Sequence, residues 1–82
     1  IGLTKYLATY WAKENIRVNA ITPGGVESGQ NEEFQSLYSS RVPMGRMGQP
    51  SEMVAALLYL ASDASSYVTG QNLIVDGGLT VW

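Results

Sequence analysis

Ile16-Arg17-Val18-Asn19-Ala20-Ile21, running into Thr22-Pro23-Gly24-Gly25, is the stretch on which the fold turns. Its β-branched residues predict a short strand over 16–21, closed by a proline that cannot donate to a ladder. The two glycines after it permit a bend and the close approach of another group to the backbone. Just upstream, Leu3, Leu7, Tyr10 and Trp11 recur at spacings of three and four, which predicts a helix from Ile1 to about Lys13. Asn15 stands where a left-handed residue ends such a helix. Helix, tight turn and strand in that order make the αβ half of a parallel-sheet unit, so the chain reads as α/β.

Downstream, residues 26–49 form a long polar connection. Asn31 is placed to cap a short helix, with Glu32 and Glu33 in its first turn and Phe34, Leu37 and Tyr38 as a narrow apolar stripe. Gly29, Pro43, Gly45 and Gly48 punctuate the rest. A connection of this length inside a domain reads as a lid or binding loop. Pro50 suits the first position of the next helix, and Glu52 its first turn. On that helix Met53, Leu57 and Leu60 form one apolar row, and Val54, Leu58 and Ala61 the adjacent one. Such a wide face calls for a sheet or a partner subunit to cover it. Gln71 to Val75 reads as a second, buried parallel strand, ended by Asp76-Gly77-Gly78, with Leu79 to Trp82 as an apolar tail.

Two short parallel strands leave backbone donors and acceptors unpaired unless other strands flank them. The first helix also starts without a capping residue, and the first residue is Ile1. The expectation is a fragment whose remaining sheet lies upstream.

Composition narrows the chemistry. Across 82 residues, five Lys and Arg against seven Asp and Glu give a net charge of −2, no field for nucleic acid or an anionic membrane. Without Cys or His there is no disulfide, thiolate zinc site or histidine base, and no metal site is expected. The longest apolar run, Met53 to Ala61, is about nine residues where a membrane span needs roughly 20. A soluble, cytoplasmic setting is the expectation.

Few motifs carry catalysis. Glycines 24, 25 and 29 do not match Gly-x-Gly-x-x-Gly, and no Gly-Lys-Ser/Thr follows. Glu32 and Glu33 are adjacent and point about 100° apart on a helix, so they read as solvated charges rather than a working pair. Asp63 and Asp76 occupy turn contexts. No Tyr is followed four residues later by Lys, and no Ser lies in a nucleophile motif. Arg41 and Arg46 flank Pro43 and read either as a clamp for an anion or as surface charges. No catalytic residue is expected within the chain.

At Asn19-Ala20-Ile21-Thr22-Pro23-Gly24 the chain resembles the short-chain dehydrogenase/reductase family. Gly45-Arg46-Met47-Gly48-Gln49-Pro50-Ser51-Glu52-Met53 is similar to the entry of that family's last large helix. Ser62-Asp63-Ala64-Ser65-Ser66-Tyr67-Val68-Thr69-Gly70-Gln71, leading to Val75-Asp76-Gly77-Gly78, resembles its closing strand. Three motifs in family order span essentially the whole chain.

The resemblance implies the C-terminal part of a Rossmann-type, doubly wound parallel sheet, in the order helix, strand, lid, helix, strand. It implies an oxidoreductase using NAD or NADP to interconvert a carbonyl and an alcohol. The catalytic Ser, Tyr and Lys would lie upstream of Ile1, so the isolated fragment is expected to be inactive. What carries over is the nicotinamide side: Pro23, Gly24, Gly25 and Val26, with Val26 offering main-chain groups to the carboxamide. Ser28 falls where the family usually has Thr, and Asn19 is expected to support the strand end. Residues 27–49 resemble the substrate lid, with Phe34, Leu37, Tyr38 and Met44 as wall residues. The 50–62 helix and 71–76 strand resemble the interface of a homodimer or homotetramer. The competing reading is a non-catalytic oligomerisation module from a degenerate homologue.

Overall fold

Helix α1 covers Gly2–Trp11 and runs out through a 3₁₀ turn over Ala12–Glu14 in the computed structural model, which describes all 82 residues. Asn15 closes that turn at φ 61°, its N–H donating to the Ala12 carbonyl, as a left-handed cap should. The apolar stripe expected on α1 is turned differently. Leu3, Tyr6 and Tyr10 face outward, while Ala8 is 2% exposed and meets the turn at Gly70. A methyl side chain there lets the helix lie close against the backbone leading into the second strand.

Strand β1 (Ala20–Pro23) pairs in parallel with β2 (Asn72–Val75), Ala20 opposite Asn72 and Pro23 opposite Val75. The first strand therefore starts later than the 16–21 run predicts and takes in the proline. Residues 16–19 are tied down by other means. The Val18 N–H donates to Thr69 Oγ1, and Asn19 bridges the Val68 carbonyl and the Gln71 N–H through its side-chain amide. Asn19 thus does the supporting work expected of it. Pro23 is tolerated because alternate residues donate toward β2: Ala20 and Gly24 do so at 2.9 Å, and Pro23 falls between them. That alternation also leaves the outer edge of β1 open to a further strand.

Helix α2 (Glu32–Ser39) starts at Asn31, whose Oδ1 accepts from the Phe34 N–H at 2.8 Å. Helix α3 (Pro50–Ala61) opens on a capping box between Gln49 and Glu52, with Pro50 in the first turn. Its inner face is Met53, Ala56 and Leu60; of the two apolar rows read from the spacing, Leu57, Val54 and Leu58 are 56%, 52% and 63% exposed.

One side chain ties the two halves together. Arg17 donates to Ser65 Oγ (2.9 Å) and to the carbonyls of Val68, Leu60 and Ser62. A guanidinium thereby meets the carbonyl-rich end of α3, where positive charge is favourable. Ser65, 1% exposed, donates in turn to the Leu60 and Ser62 carbonyls.

Only four residues are buried, Ala8, Val42, Met47 and Ser65. The accessible surface is 5984 Å², against ~4,800 Å² for a folded monomer of this mass. The radius of gyration, 15.3 Å, exceeds the ~12 Å of a compact domain of this length. The excess of ~1,200 Å² is larger than one side of a standard protein interface, ~800 Å². The apolar faces of α1 and α3 supply much of it.

Candidate functional site

Both strands end at the same rim. There Pro23-Gly24-Gly25-Val26 leaves β1 and Asp76-Gly77-Gly78 leaves β2, and the crevice outside the carboxyl ends of parallel strands is where α/β sheets bind ligands. A small cleft of about 90 Å³ opens there, walled by Gly25, Tyr38, Met44, Arg46, Met53 and Asp76 among others.

The close approach expected at the glycines is made, within this chain, by its own side chains. A Cβ on Gly24 would lie 2.8 Å from Asp76 Cβ, and one on Gly25 would lie 2.5 Å from Tyr38 Cε1. Real Cβ atoms do not approach so closely, so each glycine is dictated by packing within the fold. The Tyr38 hydroxyl accepts from the Gly25 N–H at 2.6 Å. Asp76 organises the facing turn: its carboxylate accepts from the N–H groups of Gly78 and Thr80. The Thr80 hydroxyl and the Gly78 N–H hold its carboxyl below the usual carboxylate range. The turn role expected for Asp76 is what the structure shows.

Val26 sits in a neck. It forms a parallel bridge with Gly48, in which the Gly48 N–H donates to the Gly25 carbonyl (2.8 Å) and the Glu27 N–H to the Gly48 carbonyl (2.9 Å). Gln49 Nε2 donates to Glu27 Oε2 across the same neck at 2.5 Å. The bonds of such a bridge come from the residues flanking Val26, so its own N–H and C=O face away from Gly48. Gln30 Nε2 donates to the Val26 carbonyl, and the Val26 N–H has no partner within the chain. Ser28 is exposed; its N–H donates to Gln30 Oε1, and its hydroxyl is uncommitted.

Of the other wall residues, Phe34 stacks on Tyr38 with ring centroids 6.2 Å apart. Leu37 and Met44 are 61% and 63% exposed, so Leu37 reaches no cleft here while Met44 lines its edge. Arg46 is spent on a bidentate pair with Glu52 (2.8 and 3.0 Å), which removes it as a free anion clamp. That bond and the Gln49 N–H pull the Glu52 carboxyl down to about 2, and Glu52 raises the Arg46 guanidinium in return. Gln30 and the Tyr38 hydroxyl escape a reading of the sequence, because nothing local to Gln30 or Tyr38 points to Val26 or Gly25.

A parallel αβ unit with a glycine-bearing loop at its carboxyl rim is compatible with the ligand-binding edge of an open α/β sheet. The sequence profile described as enoyl-(acyl carrier protein) reductase matches residues 1–80. D-arabinitol 2-dehydrogenase of Candida tropicalis is 50% identical over 91 residues, which take in 100% of this chain and 32% of that protein. The 3-oxoacyl-(acyl carrier protein) reductase of Thermotoga maritima is 47% identical over 85 residues, covering 99% of this chain and 35% of that enzyme. A Leptospira borgpetersenii short-chain dehydrogenase solved with bound NAD+ superposes at TM-score 0.89 with 50% identity, over 98% of this chain and 32% of that one. The chain belongs to the short-chain dehydrogenase/reductase family, and its two strands and three helices are part of a Rossmann-type sheet whose members use NAD or NADP. It spans about a third of the length of the curated relatives it matches.

Proposed function

We propose that this chain is the C-terminal part of a cytoplasmic, NAD(P)-dependent oxidoreductase, supplying the nicotinamide-side loop, the substrate lid and an oligomer interface. The observation that carries the reading is the open Val26 N–H, held at the carboxyl rim with its neighbours' groups already paired. A lone outward donor on a pinned loop fits a carboxamide oxygen, and Ser28 offers a free hydroxyl two residues on. When bound, the dinucleotide supplies the hydride that passes to or from the substrate carbon. Pro23, Gly24 and Gly25 carry the strand end to that donor without a side chain in its path. Gln30 braces the loop from the side of the connection.

Residues 27–49 form the lid, with Tyr38 packed inward, Phe34 stacked on its outer side and half exposed, and Leu37 and Met44 available to a substrate. The substrate class is a polyol or keto-sugar. The uncharged amides Gln30, Asn31 and Gln35 on this segment support it, as do similar proteins named as D-arabinitol and galactitol dehydrogenases. Arg46 is paired to Glu52, which leaves Arg41 as the one arginine of the lid without a carboxylate partner.

Titration of the full-length protein with NADH and NADPH, followed by turnover on polyols, keto-sugars and acyl-carrier substrates, tests this. Saturable binding of one dinucleotide and oxidation of a polyol are expected, with neither binding nor turnover from residues 1–82 alone. A second reading, a non-catalytic oligomerisation module, is favoured by the exposed Val54, Leu57 and Leu58 on α3. Self-association without dinucleotide binding would select it.

A further inference from the structure

Gly25 is gripped from one side only. Its N–H donates to the Tyr38 hydroxyl at 2.6 Å, and its carbonyl accepts from the Gly48 N–H at 2.8 Å. Successive residues of an extended segment present their polar groups to opposite sides. Fixing both groups of Gly25 toward α2 and the neck therefore turns the N–H of Val26 the other way. The Tyr38 ring also rests against Gly25, with Phe34 stacked beside it. A Gly-Gly pair has more conformational freedom to lose than any other dipeptide, so this grip decides how much ordering is left for a ligand to impose.

We propose that Tyr38 is a positioning residue for the nicotinamide half of the cofactor, acting through Gly25 to aim the Val26 N–H. It touches neither cofactor nor substrate in this role. The proposal rests on the reading of the 23–28 loop as the nicotinamide side, and it adds a function for a side chain otherwise placed only in the lid wall.

Tyr38→Phe in the full-length enzyme tests it, because the ring and its stacking survive while the acceptor for Gly25 is lost. Hydrogen exchange at the Gly25 amide quickens, and the dissociation constant for the preferred dinucleotide rises about fivefold, the worth of one net hydrogen bond. Affinity for ADP-ribose, which has no nicotinamide, stays unchanged. Gly25→Ala, whose Cβ displaces the Tyr38 ring, gives the same selective loss by an independent route. Equal weakening of ADP-ribose and dinucleotide would make Tyr38 a merely structural residue and overturn the proposal. Unchanged dinucleotide affinity in Tyr38→Phe would overturn it as well. A wild-type enzyme that binds neither NADH nor NADPH would instead remove the functional reading, and the positioning role with it.

Discussion

Replacing Arg17 by Met keeps the aliphatic stem and deletes the charged head. Four hydrogen bonds disappear, three of them part-buried, to Ser65 Oγ, the Val68 carbonyl and the Leu60 carbonyl. The fourth, to the Ser62 carbonyl, is exposed, and water replaces it at little cost. At about 1 kcal/mol net for each part-buried bond, the loss is ~3 kcal/mol. For a full-length protein of 150–250 residues or more, ~2–4 °C per kcal/mol puts the fall in Tm at ~6–12 °C. Ser65 keeps its own donation to Leu60 and Ser62, so the turn after α3 loosens rather than unfolds. Differential scanning calorimetry on the full-length wild type, Arg17→Met and Arg17→Lys gives the comparison. Lys carries three donors on a single nitrogen and cannot span acceptors spread around a planar fork, so it recovers a part of the difference. A Tm within ~2 °C of wild type for Arg17→Met would refute the reasoning, since the turn would then owe nothing to the guanidinium.

Glu52 contributes to acid stability with a defined sign. Its carboxyl is held near 2 in the folded state against an ordinary 4.5, so the contribution is complete above pH 4.5 and is lost as the pH falls toward 2. The gap in urea midpoint between wild type and Glu52→Gln therefore narrows from pH 6 to pH 3; a constant gap would contradict the assignment. Asn31→Ala removes the side-chain acceptor of the Phe34 N–H and lowers stability by about 1 kcal/mol, measurable by urea unfolding. If the exposed face of α3 is the proposed oligomer interface, Leu57→Asp shifts the full-length protein to a smaller species in analytical ultracentrifugation, and an unchanged mass would count against that role for α3. Gly24→Val sets a branched side chain against Asp76 and costs several kcal/mol, read as loss of soluble full-length protein.

The exposed apolar rows of α1 and α3 and the open edge of β1 have one physical meaning. A parallel sheet is covered on both faces and flanked by further strands in a complete domain, and two strands satisfy neither condition. The excess surface and the long radius of gyration go with these uncovered faces, and the chain spans about a third of the length of the relatives it matches.

What the amino-acid string settled is whatever acts within a few residues. Asn15 as a left-handed cap, Asn31 and Pro50 as helix starts, the Asp76 turn and the α/β order all follow from contacts spanning about four positions, where chain geometry leaves few alternatives. The three family motifs added the sheet type and the cofactor class in the same way, because each is a contiguous run. Folding alone brought together Arg17 with the end of α3 and the turn beyond it, 43 to 51 residues apart, and Tyr38 with Gly25, 13 apart. It also buried Ala8 rather than Tyr10, which lies about 200° away around α1, and it exposed Leu57, choices that periodicity leaves open because apolar residues occur on more than one side of each helix. Periodicity states that a face is apolar; which strip is covered depends on where the neighbouring backbone comes closest.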